Sequence, residues 1–150
     1  MPHLVIHYTP QLDQEADLGA LCRDLAKDLI ELRDISDRPI FPPGGTRVLA
    51  YPAKHYAVSD GGSAGLAATG QGDYAFIYLN LRMGQGRDET AIQRAGELIT
   101  ERTKAHLQAL MAKRYIGVTV QIDVGQEVYD HKLSNLHPLF KGAAGTPAKQ

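Results

Sequence analysis

The 150 residues include one cysteine, three phenylalanines and no tryptophan. The single thiol, Cys22, excludes an intrachain disulfide and any zinc motif built on paired cysteines, and it points to a reducing compartment. Neither sign of charge is in surplus. Sixteen Lys and Arg stand against 17 Asp and Glu, a formal net charge of −1, which gives no basis for a broad nucleic-acid-binding or membrane-binding surface. Any anion site must therefore be local. Long apolar runs are also missing, and nothing approaches the roughly 20 residues of a membrane span. The apolar stretch at the start is too short for a signal peptide and lacks a basic flank and a cleavage site. The expectation is a cytoplasmic protein with one domain over 1–141, large enough to bury a core without staples, followed by a disordered tail over 142–150.

Two further absences concern chemistry. The histidines at 3, 7, 55, 106, 131 and 137 show no metal-ligand spacing, so no metal is expected. Gly84-Gln85-Gly86 begins like a dinucleotide fingerprint, but Glu89 stands where the third glycine belongs. A nucleotide cofactor is not expected.

Among what is present, the start of the chain stands out: Met1-Pro2-His3-Leu4-Val5-Ile6-His7-Tyr8 reads as a strand opened by proline. An internal proline nitrogen is neither a donor nor basic. If Met1 is removed, Pro2 carries a free secondary amine of the kind that titrates near ~8, and neighbouring cations or desolvation push it toward the neutral form. Such a group is a competent proton shuttle. The plain alternative is that proline at position 2 is only a processing signal.

Leu18, Leu21, Leu25, Leu29 and Leu32 recur at helical spacing, with Arg23, Asp24, Lys27, Asp28 and Glu31 on a face expected to be solvated. A proline- and glycine-rich loop, Ile40 to Gly45, feeds a second strand from Thr46, with Arg47 at its entrance. Ser59 to Gly72 reads as a flexible loop, either a lid or an insertion. Asp73 to Met83 is the strongest strand and is expected to be central. A helix follows from Asp88 to about Lys113, with Ile92, Ala95, Ile99, His106 and Leu110 as its buried stripe. Tyr115 to Val124 then alternates as a strand with one face buried. The order strand-helix-strand, twice over, predicts two right-handed parallel units in a four-stranded sheet with both helices on one face. The other face needs cover, and oligomerisation would supply it. His3 and His7 share one face of the first strand, where a supporting or core role is expected. Leu133, Leu136, Leu139 and Phe140 are expected to cover a neighbour.

Arg87 sits just before a helix, at the positive end of the macrodipole, which is unfavourable unless an anion sits there. Flanking glycine N–H groups would help to hold a carboxylate. The competing reading is a simple pair with Asp88 or Glu89. Arg47, behind Pro42-Pro43-Gly44-Gly45, is a second candidate anion binder.

Together Pro2-His3, Glu15-Ala16-Asp17-Leu18, Ile40-Phe41-Pro42, Gly45-Thr46-Arg47, Asp73-Tyr74-Ala75-Phe76, Gly84-Gln85-Gly86-Arg87, Gln93-Arg94-Ala95-Gly96-Glu97 and Asn135-Leu136-His137-Pro138-Leu139-Phe140-Lys141 give the chain a resemblance. It resembles the tautomerase superfamily and, within it, the 5-carboxymethyl-2-hydroxymuconate isomerase family. The resemblance implies an α+β homotrimer of twice-repeated β-α-β units. It implies that Pro2 is the general base and acid, that Arg47 and Arg87 bind and polarise a small polycarboxylate, and that no cofactor takes part. The family isomerises an unsaturated 2-hydroxy polycarboxylate formed in breakdown of homoprotocatechuate-type aromatic compounds. The stretch from Tyr51 to Gly72 and the tail after Lys141 look longer than the family's usual pattern, so the long loop is expected to reshape the pocket. Two alternatives stay open: a non-catalytic trimeric binding protein on the same scaffold, and a superfamily enzyme for another unsaturated acid.

Overall fold

The computed structural model describes residues 1–141; the tail expected over 142–150 lies outside them. Strand β1 (His3–Tyr8) is followed by a single helical turn, α1 (Leu12–Glu15), and by α2 (Leu18–Glu31). A 3-10 turn at Pro43–Gly45 leads into β2 (Arg47–Pro52), and α3 (Ser63–Thr69), β3 (Ala75–Gly84), α4 (Glu89–Met111) and β4 (Ile116–Gly125) follow. A last 3-10 turn, His137–Phe140, ends the described chain.

The sheet order is β2-β1-β3-β4. β1 pairs with β2 in parallel, β3 with β4 in parallel, and β1 with β3 antiparallel. Two strand-helix-strand units therefore meet across β1 and β3, the expected layout, with β3 central. The core lies between the sheet and the two long helices: Leu4, Ile6 and Tyr8 of β1 and Ile77, Leu79 and Leu81 of β3 pack under Leu21, Leu25 and Leu29 of α2 and Ala95, Ile99 and Leu107 of α4. Alternation along each strand sends the remaining side chains to the opposite, open face.

Both helices start at capped aspartates. Asp17 accepts from Ala20 N at 3.0 Å and Asp88 from Ala91 N at 2.8 Å, satisfying N–H groups that have no partner within the helix. The stripe of α4 differs from the expected one: Ala91, Ala95, Ile99, Thr103 and Leu107 are buried, while Ile92 and Leu110 are only partly so. That is a strict four-residue row, and such ridges are the ones that seat against a neighbouring element. His106 falls off the row and bonds to the Ala16 carbonyl. The supposedly solvated face of α2 is partly engaged as well, because Asp28 holds Arg102 of α4 with contacts at 2.5 and 3.0 Å. Among the described residues no helix is long and apolar enough to cross a membrane.

Several expectations are corrected. Residues 63–69 form a helix rather than a flexible loop. Ala64, Leu66, Ala67 and Ala68 supply helix propensity inside glycine punctuation, and the Asp60 carboxylate accepts from Gly62 N and Ala64 N, both at 2.9 Å. β4 is an edge strand with much of its apolar face in solvent, Val118 and Val124 included. α4 packs along β4 without covering the whole of it. The open face is mixed: Val5, Leu49 and Phe76 share it with His3 and His7, both exposed, and with Tyr51, Tyr78 and Arg82. His3 and His7 are thus not core residues. Tyr78 Oη donates to Gln121 at 2.7 Å and Asn80 Nδ2 to Asp123 at 2.8 Å across that face.

Candidate active site

The register decides what meets at the end of the sheet. His3 pairs with Arg47 on one side and with Arg82 on the other. The beginning of β1, the beginning of β2 and the end of β3 are therefore neighbours. Gly84 pairs with Gly125, so β4 also ends there. Pro2 is buried at this end, its carbonyl accepting from Arg47 N at 3.3 Å.

Arg47 is half-buried and its Nη1 donates to the carbonyls of Gly44, at 2.8 Å, and Thr46, at 3.0 Å. Arg87, also half-buried, donates from Nε to the Ile40 carbonyl at 3.2 Å and from Nη1 to Gly84 O at 3.4 Å. Its guanidinium lies 4.9 Å from the centre of the Phe41 ring, a favourable cation–π arrangement. Burial lowers the Arg87 pKa from its ordinary value; it remains a cation, stripped of part of its water. Among the described residues neither arginine forms an ion pair. The pairing of Arg87 with Asp88 or Glu89 is not found, because Asp88 is spent on capping α4. Gly86 makes the turn before the helix at φ 115°, a conformation suited to glycine.

Pro2 and Arg47 are thus brought side by side, whereas Arg87 lies across the Pro42–Gly45 turn. Met1 and Arg47 line a cavity of about 630 Å³. Arg87 lines another of about 820 Å³ together with Pro42, Gly44, His137 and Phe140. Gly44 links them, since its carbonyl holds Arg47 while the residue itself lines the second cavity. Met1 packs on the same turn: a β-carbon on Gly45 would meet Met1 Sδ at 3.1 Å and Pro42 Cγ at 3.1 Å. His3 is held below its ordinary pKa, first by burial, then by the terminal amine and Arg47, with Asp130 opposing.

Sequence reasoning missed two parts of this end. Phe41 is the platform under Arg87; its place between Ile40 and Pro42 marks it as an anchored loop residue but does not reveal what it carries. The stretch from Gln126 to Leu136 runs from the end of β4 to the Met1–Arg47 cavity, and His137–Phe140 then packs on the Pro43–Gly45 turn. A β-carbon on Gly44 would meet His137 Cα at 3.2 Å. This strap packs on its own chain. The 59–72 stretch, by contrast, lies away from the site: α3 packs on Tyr74 and Tyr115, and Gly65 N donates to Tyr74 Oη at 2.7 Å. That is the opposite end of the sheet from Pro2, because Tyr8 pairs with Ile77. It is no lid on this site. Among the described residues no cluster of His, Cys, Asp or Glu is arranged to hold a metal ion.

A family model described as 5-carboxymethyl-2-hydroxymuconate isomerase matches residues 2–140. An Escherichia coli protein named 5-carboxymethyl-2-hydroxymuconate Delta-isomerase is 30% identical over 141 residues, spanning 94% of this chain and 100% of that one. A crystal structure of a 5-carboxymethyl-2-hydroxymuconate delta-isomerase is 57% identical with a TM-score of 0.90, covering 94% of this chain and 93% of the other. The corresponding isomerase from Deinococcus radiodurans R1 is 28% identical with a TM-score of 0.75, covering 93% and 94%. With the twice-repeated unit in place and the match running through nearly all of its length, the chain belongs to the 5-carboxymethyl-2-hydroxymuconate isomerase family.

Proposed function

We propose that the protein is a tautomerase that ketonises a 2-hydroxymuconate-type unsaturated polycarboxylate such as 5-carboxymethyl-2-hydroxymuconate, with Pro2 as general base and acid and Arg47 and Arg87 binding the carboxylate and the C2 oxygen. The observation that carries this reading is the amino-terminal proline beside Arg47, with Arg87 across the Pro42–Gly45 turn, the two guanidinium groups being hydrogen-bonded only to backbone carbonyls among the described residues. Each keeps N–H donors for an incoming anion.

In the working enzyme Met1 is absent. Its removal frees the Pro2 nitrogen and vacates the space it fills beside Gly45. Neutral Pro2 takes the proton of the 2-hydroxyl, and electron density moves through the diene to the distant carbon, which receives the proton from the same amine. Negative charge builds on the C2 oxygen meanwhile, and a positioned guanidinium stabilises it, for a few kcal/mol in a water-poor site. The Arg47 cation beside the amine also favours its neutral form. No cofactor enters this chemistry.

The working unit in this reading is a homotrimer in the cytoplasm. The uncovered sheet face supports it, as do the exposed Val128, Tyr129, Leu133 and Leu139 of the strap, which a second copy would cover.

The test is the ultraviolet decay of 5-carboxymethyl-2-hydroxymuconate with Met-free protein and with Pro2→Ala, a variant that also permits removal of Met1. Fast decay with the first and little with the second is expected; equal slow decay in both refutes the assignment.

A further inference from the structure

The cavity beside Pro2 has a second cation that the reaction above leaves unused. Its walls are Met1, Arg47 and the strap residues His131 to Leu136, and no Asp or Glu is among them. Lys132 is one of these walls. Its ammonium pairs with Asp130 two residues back, and the two side chains keep 39% and 44% of their surface in solvent. An exposed pair of this kind is weak and salt-screened, so a bound anion competes well for the ammonium. The lysine carries a compact charge on a long flexible stem, able to follow a carboxylate some distance from the reacting carbon.

The substrate class supplies such a group. A muconate skeleton has a carboxylate at each end, and a carboxymethyl arm adds a third. Arg47 and Arg87 are engaged with the reacting end, which leaves the remote charge without a partner. Resting on the tautomerase reading, we propose that Lys132 holds the remote carboxylate of a tricarboxylate substrate and so sets the preference for tricarboxylates over dicarboxylates. Lys132 sits on the strap rather than on the sheet, so this preference is set by residues 126–136 and not by the β-α-β frame.

The experiment is calorimetric binding of two inert probes, propane-1,2,3-tricarboxylate and glutarate, to Met-free protein. The variants are Lys132→Ala, Lys132→Arg and the double variant Asp130→Asn with Lys132→Ala, which removes the carboxylate that the single truncation leaves unpaired. Tricarboxylate affinity is expected to fall about tenfold in Lys132→Ala and in the double variant, the loss of one charge-assisted contact. Glutarate affinity is expected to change much less, and Lys132→Arg to recover most of the loss. Equal losses for both probes, no loss for either, or a loss that vanishes in the double variant would each overturn the proposal; the last would trace the effect to Asp130 repulsion. Dienol decay is followed on the same wild-type sample. Lys132-dependent binding without turnover sinks the tautomerase reading alone, and turnover without Lys132-dependent binding sinks only the role of Lys132.

Discussion

Replacing Arg87 separates its part in the chemistry from its part in the fold. In Arg87→Ala the chain loses two donors to the backbone, one at 3.2 Å to Ile40 and a longer one at 3.4 Å to Gly84, together with the contact to Phe41. Half-buried bonds and a cation–π contact of this kind amount to about 1–2 kcal/mol of stability. No ion pair is broken among the described residues, so no buried carboxylate is left stranded. On the proposed role, a larger effect on catalysis is expected. A positioned donor to a developing oxyanion is typically worth ~3–4 kcal/mol, a fall in kcat of about 10² to 10³. Arg87→Lys keeps the charge but not the fork, and a loss of about tenfold to a hundredfold is expected. The assay is the initial rate of dienol decay at saturating and subsaturating substrate, with thermal denaturation of the same samples. Arg87→Ala at wild-type kcat/KM in a folded protein would refute the role assigned to this guanidinium. A loss of activity that merely tracked unfolding at the assay temperature would refute the separation argued here.

Gly62→Ala is expected to destabilise the chain by about 3 kcal/mol or more, because a β-carbon would lie 1.9 Å from Gly72 O at φ 109°; denaturant midpoints check this, and a neutral change would contradict the geometry. Tyr8 is 5% exposed, and burial, reinforced by its bond to Asp13, pushes its pKa up to about 12. The unfolded phenol ionises first, near ~10, so this contribution to stability is complete below that pH and is lost as pH rises toward the folded value. Denaturation midpoints at mildly and strongly alkaline pH should fall more steeply for the wild type than for Tyr8→Phe, and equal slopes would refute the coupling.

Much of the frame was legible because it is local. The leucines of α2 recur within three and four residues, the aromatic and aliphatic run of β3 is near-continuous, and both carry their signal within one turn or one pleat. Gly86 and Asp88 announced the start of α4 in the same way. Misreadings fell where local signals compete or where packing chooses among nearly equivalent faces. The glycines around α3 outweighed its alanines, yet Gly65 is needed where a β-carbon would meet Gln71 O at 2.2 Å. The buried row of α4 was displaced by a residue or so, because Ala91, Thr103 and Leu107 fit the sheet while His106 reaches Ala16.

The site divides along the same line. The sequence by itself supplied the side chains proposed to carry the chemistry, an amino-terminal proline, an arginine at the mouth of a strand and another ahead of a helix, and a pattern that places the chain in its family. The tertiary structure alone decided that Pro2 and Arg47 touch while Arg87 stands across the Pro42–Gly45 turn on Phe41. It also brought the strap back over its own amino terminus and sent α3 to the far end of the sheet. Residues some eighty positions apart are joined by strand register, and register is fixed by burying Leu4 and Ile6 with Ile77, Leu79 and Leu81 under two helices. That is a collective condition on the whole core, which no window along the chain contains.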